Sequence, residues 1–210
     1  MKRFYLLLVA MLVMGTTAEA QNRFDATIFG GLNFNQIDGD DAGGYTNWGL
    51  RGGVGTSFAL GEEVQSPWRM VVELAFSQKG SQIQNGTGFQ RSIVLNYVEL
   101  PLMLSYNMLD NRLRLEAGVA PAVLTRARVV DNGSNNSIQE GKYLRFDWLP
   151  VVVGVRYMFT YNLAIEGRFQ TSMLNIYDNP SSGTYRLWRE NMGVFNRTVY
   201  LGLSYSLFNQ

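Results

Sequence analysis

Eight charged residues stand out because their spacing places them on single faces of extended chain segments. Arg114 and Glu116 are two residues apart, and so are Glu166 and Arg168. Alternate residues of a β-strand point to the same side, so each of these pairs shares one face of its strand. The same alternation places four further charges among glycines and other small residues. The full set comprises Arg51, Glu73, Glu99, Arg114, Glu116, Arg156, Glu166 and Arg168.

Carboxylates that meet guanidinium groups in a confined space suit two kinds of chemistry. Bidentate ion pairs could join the charges into a network of salt bridges that fills the space and replaces a hydrophobic core. Alternatively, the same ionisable groups could line a polar conduit or carry protons. The choice depends on the width of the enclosure that the strands build.

Acid–base catalysis is a third possibility, and the composition argues against it. The sequence contains no His, which is the side chain most often used as a general base, and no Cys. An arginine close to each glutamate would keep that carboxylate ionised and make it a poor general acid. We therefore expect no enzyme, no catalytic residue, no cofactor and no metal site.

The segments that carry these charges have the two-faced alternation of β-strands. Between Val94 and Tyr106, one face is apolar apart from Asn96, whereas the other face carries Glu99 at its middle. Glycines alternate with Arg51 on one face of the second segment, which leaves room for large side chains from neighbouring strands. The predicted strands span residues 24–34, 47–60, 68–80, 92–106, 112–129, 144–159, 163–174 and 194–208, with a bulge or a loss of regular pairing at Pro121.

The connections between these strands alternate in length, long after each odd-numbered strand and short after each even-numbered one. That asymmetry is typical of bacterial outer-membrane barrels, whereas a soluble lipocalin-like barrel would place apolar residues inside. The sequence thus predicts an all-β fold, an eight-stranded antiparallel up-and-down transmembrane β-barrel. Its lumen would be filled by side chains, which favours a salt-bridge plug over a conduit. The predicted interfacial aromatic girdles comprise Trp48, Trp68, Trp148, Tyr106, Tyr157, Tyr161, Tyr200 and Tyr205.

The N-terminal segment has the features of a signal peptide. Lys2 and Arg3 precede an apolar run, and Ala18-Glu19-Ala20 fits the cleavage rule, so residues 1–20 would be removed from a barrel domain of residues 21–210. Cleavage removes two of the 18 basic and one of the 17 acidic residues, which leaves a formally neutral chain. A nucleic-acid partner would require a basic excess, so none is expected.

Five motifs together resemble the PorT-like outer-membrane β-barrel family of Bacteroidota. They are F-G-G-L-N-F-N (29–35), E-L-A-F-S-Q-K-G (73–80), Y-V-E-L-P-L-M-L-S-Y (97–106), R-L-E-A-G-V-A-P (114–121) and Y-L-G-L-S-Y-S-L (200–207). The resemblance implies an eight-stranded barrel in the bacterial outer membrane. It does not imply one function, although the namesake of the family takes part in the secretion and maturation of exported proteins.

Two functional hypotheses follow for a monomeric barrel in outer-membrane lipid. The first is a non-enzymatic protein whose lumen is closed by salt bridges and whose loops bind a partner or serve a structural role. The second is a narrow pore or a component of a protein-secretion machinery, with periplasmic or secretion-system partners. Candidate contact residues in the last long loop are Tyr185, Trp188 and Arg189.

Overall fold

The computed structural model describes residues 24–39, 44–60, 66–84, 90–131, 143–178 and 193–207. The predicted signal segment and the loop residues Tyr185, Trp188 and Arg189 lie outside these ranges. Within the ranges, no helix is long and apolar enough to cross a membrane. The strands are β1 (Phe24–Asp38), β2 (Asn47–Ala59), β3 (Trp68–Gln84), β4 (Gln90–Glu99), β5 (Leu102–Met108), β6 (Leu113–Val119), β7 (Ala122–Asp131), β8 (Phe146–Asp147), β9 (Pro150–Met158), β10 (Leu163–Ser172) and β11 (Phe195–Ser206).

These strands close into a barrel. The hydrogen-bonded order β2-β1-β11-β10-β9-β6-β5-β3 returns to its start because β3 also pairs with β2, and every pairing is antiparallel. In chain order, β4 with β5, β6 with β7, and β8 with β9 each form one interrupted barrel strand. The prediction of a closed, eight-stranded antiparallel barrel is therefore confirmed. We call the end with the short connections the turn end and the opposite end the loop end.

Three barrel strands are interrupted, at Pro101, at Pro121 and at residues 148–149. The break at Pro121, between β6 and β7, agrees with the prediction. The break at Pro101 does not, and it arises because proline has no backbone N–H to donate to the ladder. The carbonyl of Pro101 still accepts a hydrogen bond of 3.0 Å from the backbone N–H of Glu73, so barrel closure survives the break.

Two strands are longer than the sequence patterns suggest. β1 continues to Asp38 and β3 continues to Gln84, both into segments predicted as loops. Their polar outer residues conceal the alternation, but the strands remain paired because β1 meets β11, and β3 meets β4, along these extensions. The barrel wall therefore extends further at the loop end than predicted.

Apolar side chains face outward along the wall and polar side chains face inward, as the alternation predicts. Trp48 and Leu50 on β2 are 67% and 60% exposed. Arg51, which directly follows Leu50, is only 3% exposed. An outward apolar surface with a polar interior is the arrangement that a bilayer requires.

One member of the predicted aromatic girdles is placed wrongly by the sequence interpretation. Tyr200 is 1% exposed and lies inside the barrel, with its ring centroid 5.1 Å from the guanidinium carbon of Arg51. Its neighbours Val199 and Leu201 belong to the outward set, so alternation requires Tyr200 to point inward. The other seven girdle residues are exposed.

Candidate functional site: the lumen charge network

All eight predicted charged residues point into the lumen and are buried. They lie on β2, β3, β4, β6, β9 and β10, so the closure of the barrel, and not proximity in sequence, brings them together. We call them, with the partners identified below, the lumen charge network.

Arg168 on β10 is the centre of this network. Its two terminal nitrogens donate hydrogen bonds of 2.6 and 2.7 Å to the two carboxylate oxygens of Glu73. The same guanidinium lies 3.1 Å from Glu116 and 3.2 Å from Glu166. The planar guanidinium carries donors in several directions, which allows one arginine to serve three carboxylates.

Arg156 on β9 balances the remaining negative charge of the same carboxylates. It approaches Glu166 at 2.8 Å, and both Glu116 and Glu73 at 3.6 Å. Two arginines therefore share three glutamates in the turn-end half of the lumen. Each ion contacts opposite charges on more than one side, which offsets part of the cost of removing it from water.

Glu99 has a closer cationic partner than the sequence interpretation identifies. The ammonium of Lys79 lies 2.6 Å from its carboxylate, whereas Arg51 approaches it at 3.8 Å. Gln170 also donates a hydrogen bond of 3.1 Å to Glu99. Lys79 was missed although it alternates with Glu73 on the inward face of β3, and that alternation is the signal that predicts its position.

Arg114 likewise joins the network through a residue outside the predicted set. Its guanidinium lies 3.7 Å from the carboxylate of Asp25, near the beginning of β1. Asp25 also accepts a hydrogen bond of 3.2 Å from the hydroxyl of Ser206. The contact places an ion pair at the turn-end mouth of the lumen.

Glycines on neighbouring strands provide the space for two of the charged side chains. A Cβ added to Gly55 would lie 2.8 Å from Cγ of Glu73, and a Cβ added to Gly154 would lie 2.7 Å from Cγ of Arg168. Both distances are shorter than carbon–carbon contacts allow. The inward glycines of β2 and β9 are thus required by the large charged residues beside them, as the glycine pattern of the second strand predicts.

Contacts across the full diameter occur at three heights in the barrel. In the ring of eight strands, β3 lies opposite β10, and the Glu73–Arg168 pair joins them. Nearer the turn end, Arg114 on β6 reaches Asp25 on the opposite β1. Nearer the loop end, the hydroxyl oxygen of Tyr97 on β4 accepts a hydrogen bond of 3.3 Å from Asn196 on the opposite β11.

The charges do not replace a hydrophobic core, contrary to the sequence interpretation. An apolar cluster fills the loop end of the lumen, where Ile37, Leu95 and Tyr97 are fully buried. Tyr143 and Ile176, from segments beyond the strands, pack into the same cluster. The lumen therefore contains a charged layer and, above it, an apolar cap.

No group of His, Cys, Asp or Glu side chains within the described ranges is arranged to hold a metal ion. The carboxylates of the charged layer are instead occupied by arginine and lysine. The chemistry visible in this arrangement is electrostatic stabilisation of a narrow interior.

A closed barrel with an apolar outer wall and a polar filling defines the class of integral outer-membrane barrels. The sequence matches the family described as the outer membrane protein beta-barrel domain over residues 19–178, and the chain belongs to that family. It is a protein of the bacterial outer membrane, as the sequence predicts.

A solved outer-membrane barrel shares the fold. The chain is similar to the neisserial surface protein A, NspA, with 11% identity, coverage of 87% of this chain and 96% of that one, and a TM-score of 0.51. It is also similar to Ail of Yersinia pestis, with 11% identity, coverage of 88% and 99%, and a TM-score of 0.49. OprG of Pseudomonas aeruginosa matches with 14% identity, coverage of 88% and 96%, and a TM-score of 0.45. No curated protein matches the sequence.

Proposed function

We propose that this protein is a non-enzymatic, monomeric outer-membrane barrel with a closed lumen, and that its role is structural or is binding through its loop end. The observation that carries the proposal is the bidentate pair between Glu73 and Arg168, which joins opposite walls of the barrel. A hydrated passage would have to separate these two ions or to pass around them. The apolar cluster above them adds a second barrier, since water is disfavoured among apolar side chains.

The orientation in the membrane belongs to the same proposal. A signal peptide on residues 1–20 would deliver the chain to the periplasm, and an even number of strands returns both termini to one side. Long connections lie outside the cell in barrels of this class. The turn end would therefore face the periplasm and the loop end the exterior. On the five sequence motifs, we also propose that the chain belongs to the PorT-like group of Bacteroidota.

Ion flux from proteoliposomes tests the closed lumen. Refolded protein in vesicles loaded with potassium should release the ion no faster than empty vesicles when a gradient is applied. Incorporation is checked by flotation of the vesicles, and folding by the heat-modifiable mobility of the barrel on a gel. Release that scales with the protein-to-lipid ratio would contradict the closed lumen.

The polar lining of the lumen favours a second candidate, a narrow pore or a component of a secretion machinery. Lys79, Glu99 and Gln170 continue the polar surface from the charged layer towards the loop end. Flux in the vesicle assay would support the pore. Specific co-purification of periplasmic or secretion-system proteins from cells, absent with an unrelated eight-stranded barrel, would support the machinery component.

A further inference from the structure

A bulge in β7 turns two consecutive side chains outward at the upper edge of the apolar wall. Asn96 pairs with Arg126 and Tyr97 pairs with Leu124, so Thr125 is the extra residue of the bulge. Thr125 and Arg126 are both exposed, and the hydroxyl of Thr125 donates a hydrogen bond of 2.9 Å to the carbonyl of Asn96. A bulge that redirects side chains next to an open surface is a feature often associated with a site.

The bulge lies beside an open edge of the wall. Within the described residues, β7 pairs with β8 only at Ala122 and Val123. Beyond Val123 the backbone N–H of Leu124 binds the carbonyl of Arg145, and a cleft of about 220 Å³ opens between the two segments. The cleft is lined by Leu124, Thr125, Arg126, Ala127, Tyr143 and Arg145.

Cationic groups at this cleft adjoin an apolar surface. Arg126 and Arg145 are exposed, and the guanidinium of Arg145 lies 5.9 Å from the ring centroid of Phe146. Phe146 stacks on Trp148 at 4.8 Å, and Trp148 is 63% exposed. An arginine over an outward aromatic ring matches the boundary between lipid headgroups and hydrocarbon, where aromatic residues concentrate in membrane proteins.

We infer that Arg126 and Arg145 form a binding site for the phosphorylated headgroup of an outer-leaflet lipid. Two guanidinium groups suit a phosphate, because arginine binds phosphate oxygens through paired hydrogen bonds. The adjacent Phe146–Trp148 stack would contact the lipid below its headgroup. The site lies on the outer wall, so its failure would leave the proposal of a closed lumen intact.

Native mass spectrometry of the full refolded chain in a zwitterionic detergent tests this site. Diphosphorylated lipid A is the probe, and lipid A from which the phosphates have been removed is its partner. We expect the wild-type protein to retain one diphosphorylated lipid and to bind the dephosphorylated form about tenfold more weakly, the change expected when a strong ionic contact is lost. Equal binding of both lipids would overturn the inference.

Variants of the two site arginines, compared with a variant of a distant arginine, test whether the lipid binds at this part of the wall. The double variant Arg126→Gln with Arg145→Gln should lose about tenfold in affinity, as loss of charge-assisted contacts predicts. Arg112→Gln should bind as the wild type does, because Arg112 is an exposed arginine in a short turn at the opposite end. Heat-modifiable mobility confirms that each variant is folded. A double variant that binds like the wild type would overturn the site.

Competition separates the sources of the anionic ligand. A large excess of inorganic phosphate should not displace the lipid if the aromatic stack contributes to its binding. Complete displacement by inorganic phosphate would indicate a site for soluble phosphate and would overturn the lipid assignment. Tighter capture of a sulfated oligosaccharide, with displacement of the lipid, would likewise overturn it in favour of a glycan surface.

Discussion

Arg168 and Glu73 face one another from opposite sides of the barrel and are joined by two hydrogen bonds, of 2.6 and 2.7 Å. Residues 95 positions apart in sequence thus form a bidentate contact across the lumen. The pair couples the third and seventh barrel strands without any backbone pairing between them. The pair can form only when barrel closure brings these two strands opposite each other.

The central position of Arg168 predicts an unequal cost of removing the lumen arginines. Arg168→Ala removes the bidentate partner of Glu73 and the nearest cation of Glu116, although Arg156 remains 2.8 Å from Glu166, and breaking a buried ion pair typically costs about 3–5 kcal/mol. Arg114→Ala, which removes a single contact of 3.7 Å to Asp25, should cost clearly less. Urea unfolding in lipid vesicles, followed by tryptophan fluorescence, measures both.

A second inward charge variant and one outward variant extend this stability comparison. Glu116→Ala should destabilise the barrel as a member of the plug, whereas Val153→Ala on the lipid-facing wall should cost only about 1–2 kcal/mol through lost apolar burial. Val153 is 48% exposed at that wall and has no part in the network. Equal unfolding midpoints for wild type, Arg168→Ala and Glu116→Ala would show that the ion pairs do not stabilise the fold.

The glycine beside Arg168 offers a test of packing that leaves every charge in place. Gly154→Ala would put a Cβ 2.7 Å from Cγ of Arg168, and overpacking of this kind costs about 1–3 kcal/mol. Gly167→Ala is the matched control, since its nearest neighbours lie at 3.7 and 3.8 Å and the alanine suits a strand better than glycine. Comparable stability of the two variants would argue against a tightly packed plug.

Lys79 and Glu99 allow a rescue experiment near the apolar cap. Lys79→Ala removes the ammonium 2.6 Å from the buried carboxylate and should destabilise the barrel by about 3 kcal/mol or more. Adding Glu99→Gln removes the uncompensated charge, so the double variant should recover a large part of that loss. Unfolding free energies of the two single variants and the double variant complete the cycle, with outward Gln78→Ala as the control. A double variant no more stable than Lys79→Ala alone would contradict the pairing.

Much of this architecture follows from alternation in the sequence. A period of two assigns Glu73, Arg114 and Arg168 to the inner face, and the alternating loop lengths predict eight antiparallel strands. The same rule places Lys79, Asp25 and Tyr200 inside, although the sequence interpretation did not use it for them. The inward position of all three residues could therefore have been predicted from the same pattern.

The pairing within the network could not be derived in this way. Alternation fixes the face of a strand on which a residue lies, but the partner of Arg114 depends on barrel closure and on the stagger between strands. Asp25 lies opposite Arg114 only because β1 pairs with β11. The apolar cap was also missed, since Tyr143 and Ile176 belong to segments beyond the regular strands.

Single-channel recording of the refolded wild-type protein in a planar bilayer tests the closed lumen most directly. Protein is delivered by fusion of proteoliposomes in which incorporation has already been verified, so that silence reflects the barrel and not its absence. We expect the membrane to stay at its baseline conductance across the applied voltages. Steady openings whose size follows the salt concentration would contradict it and would make the lumen charge network the lining of a hydrated passage.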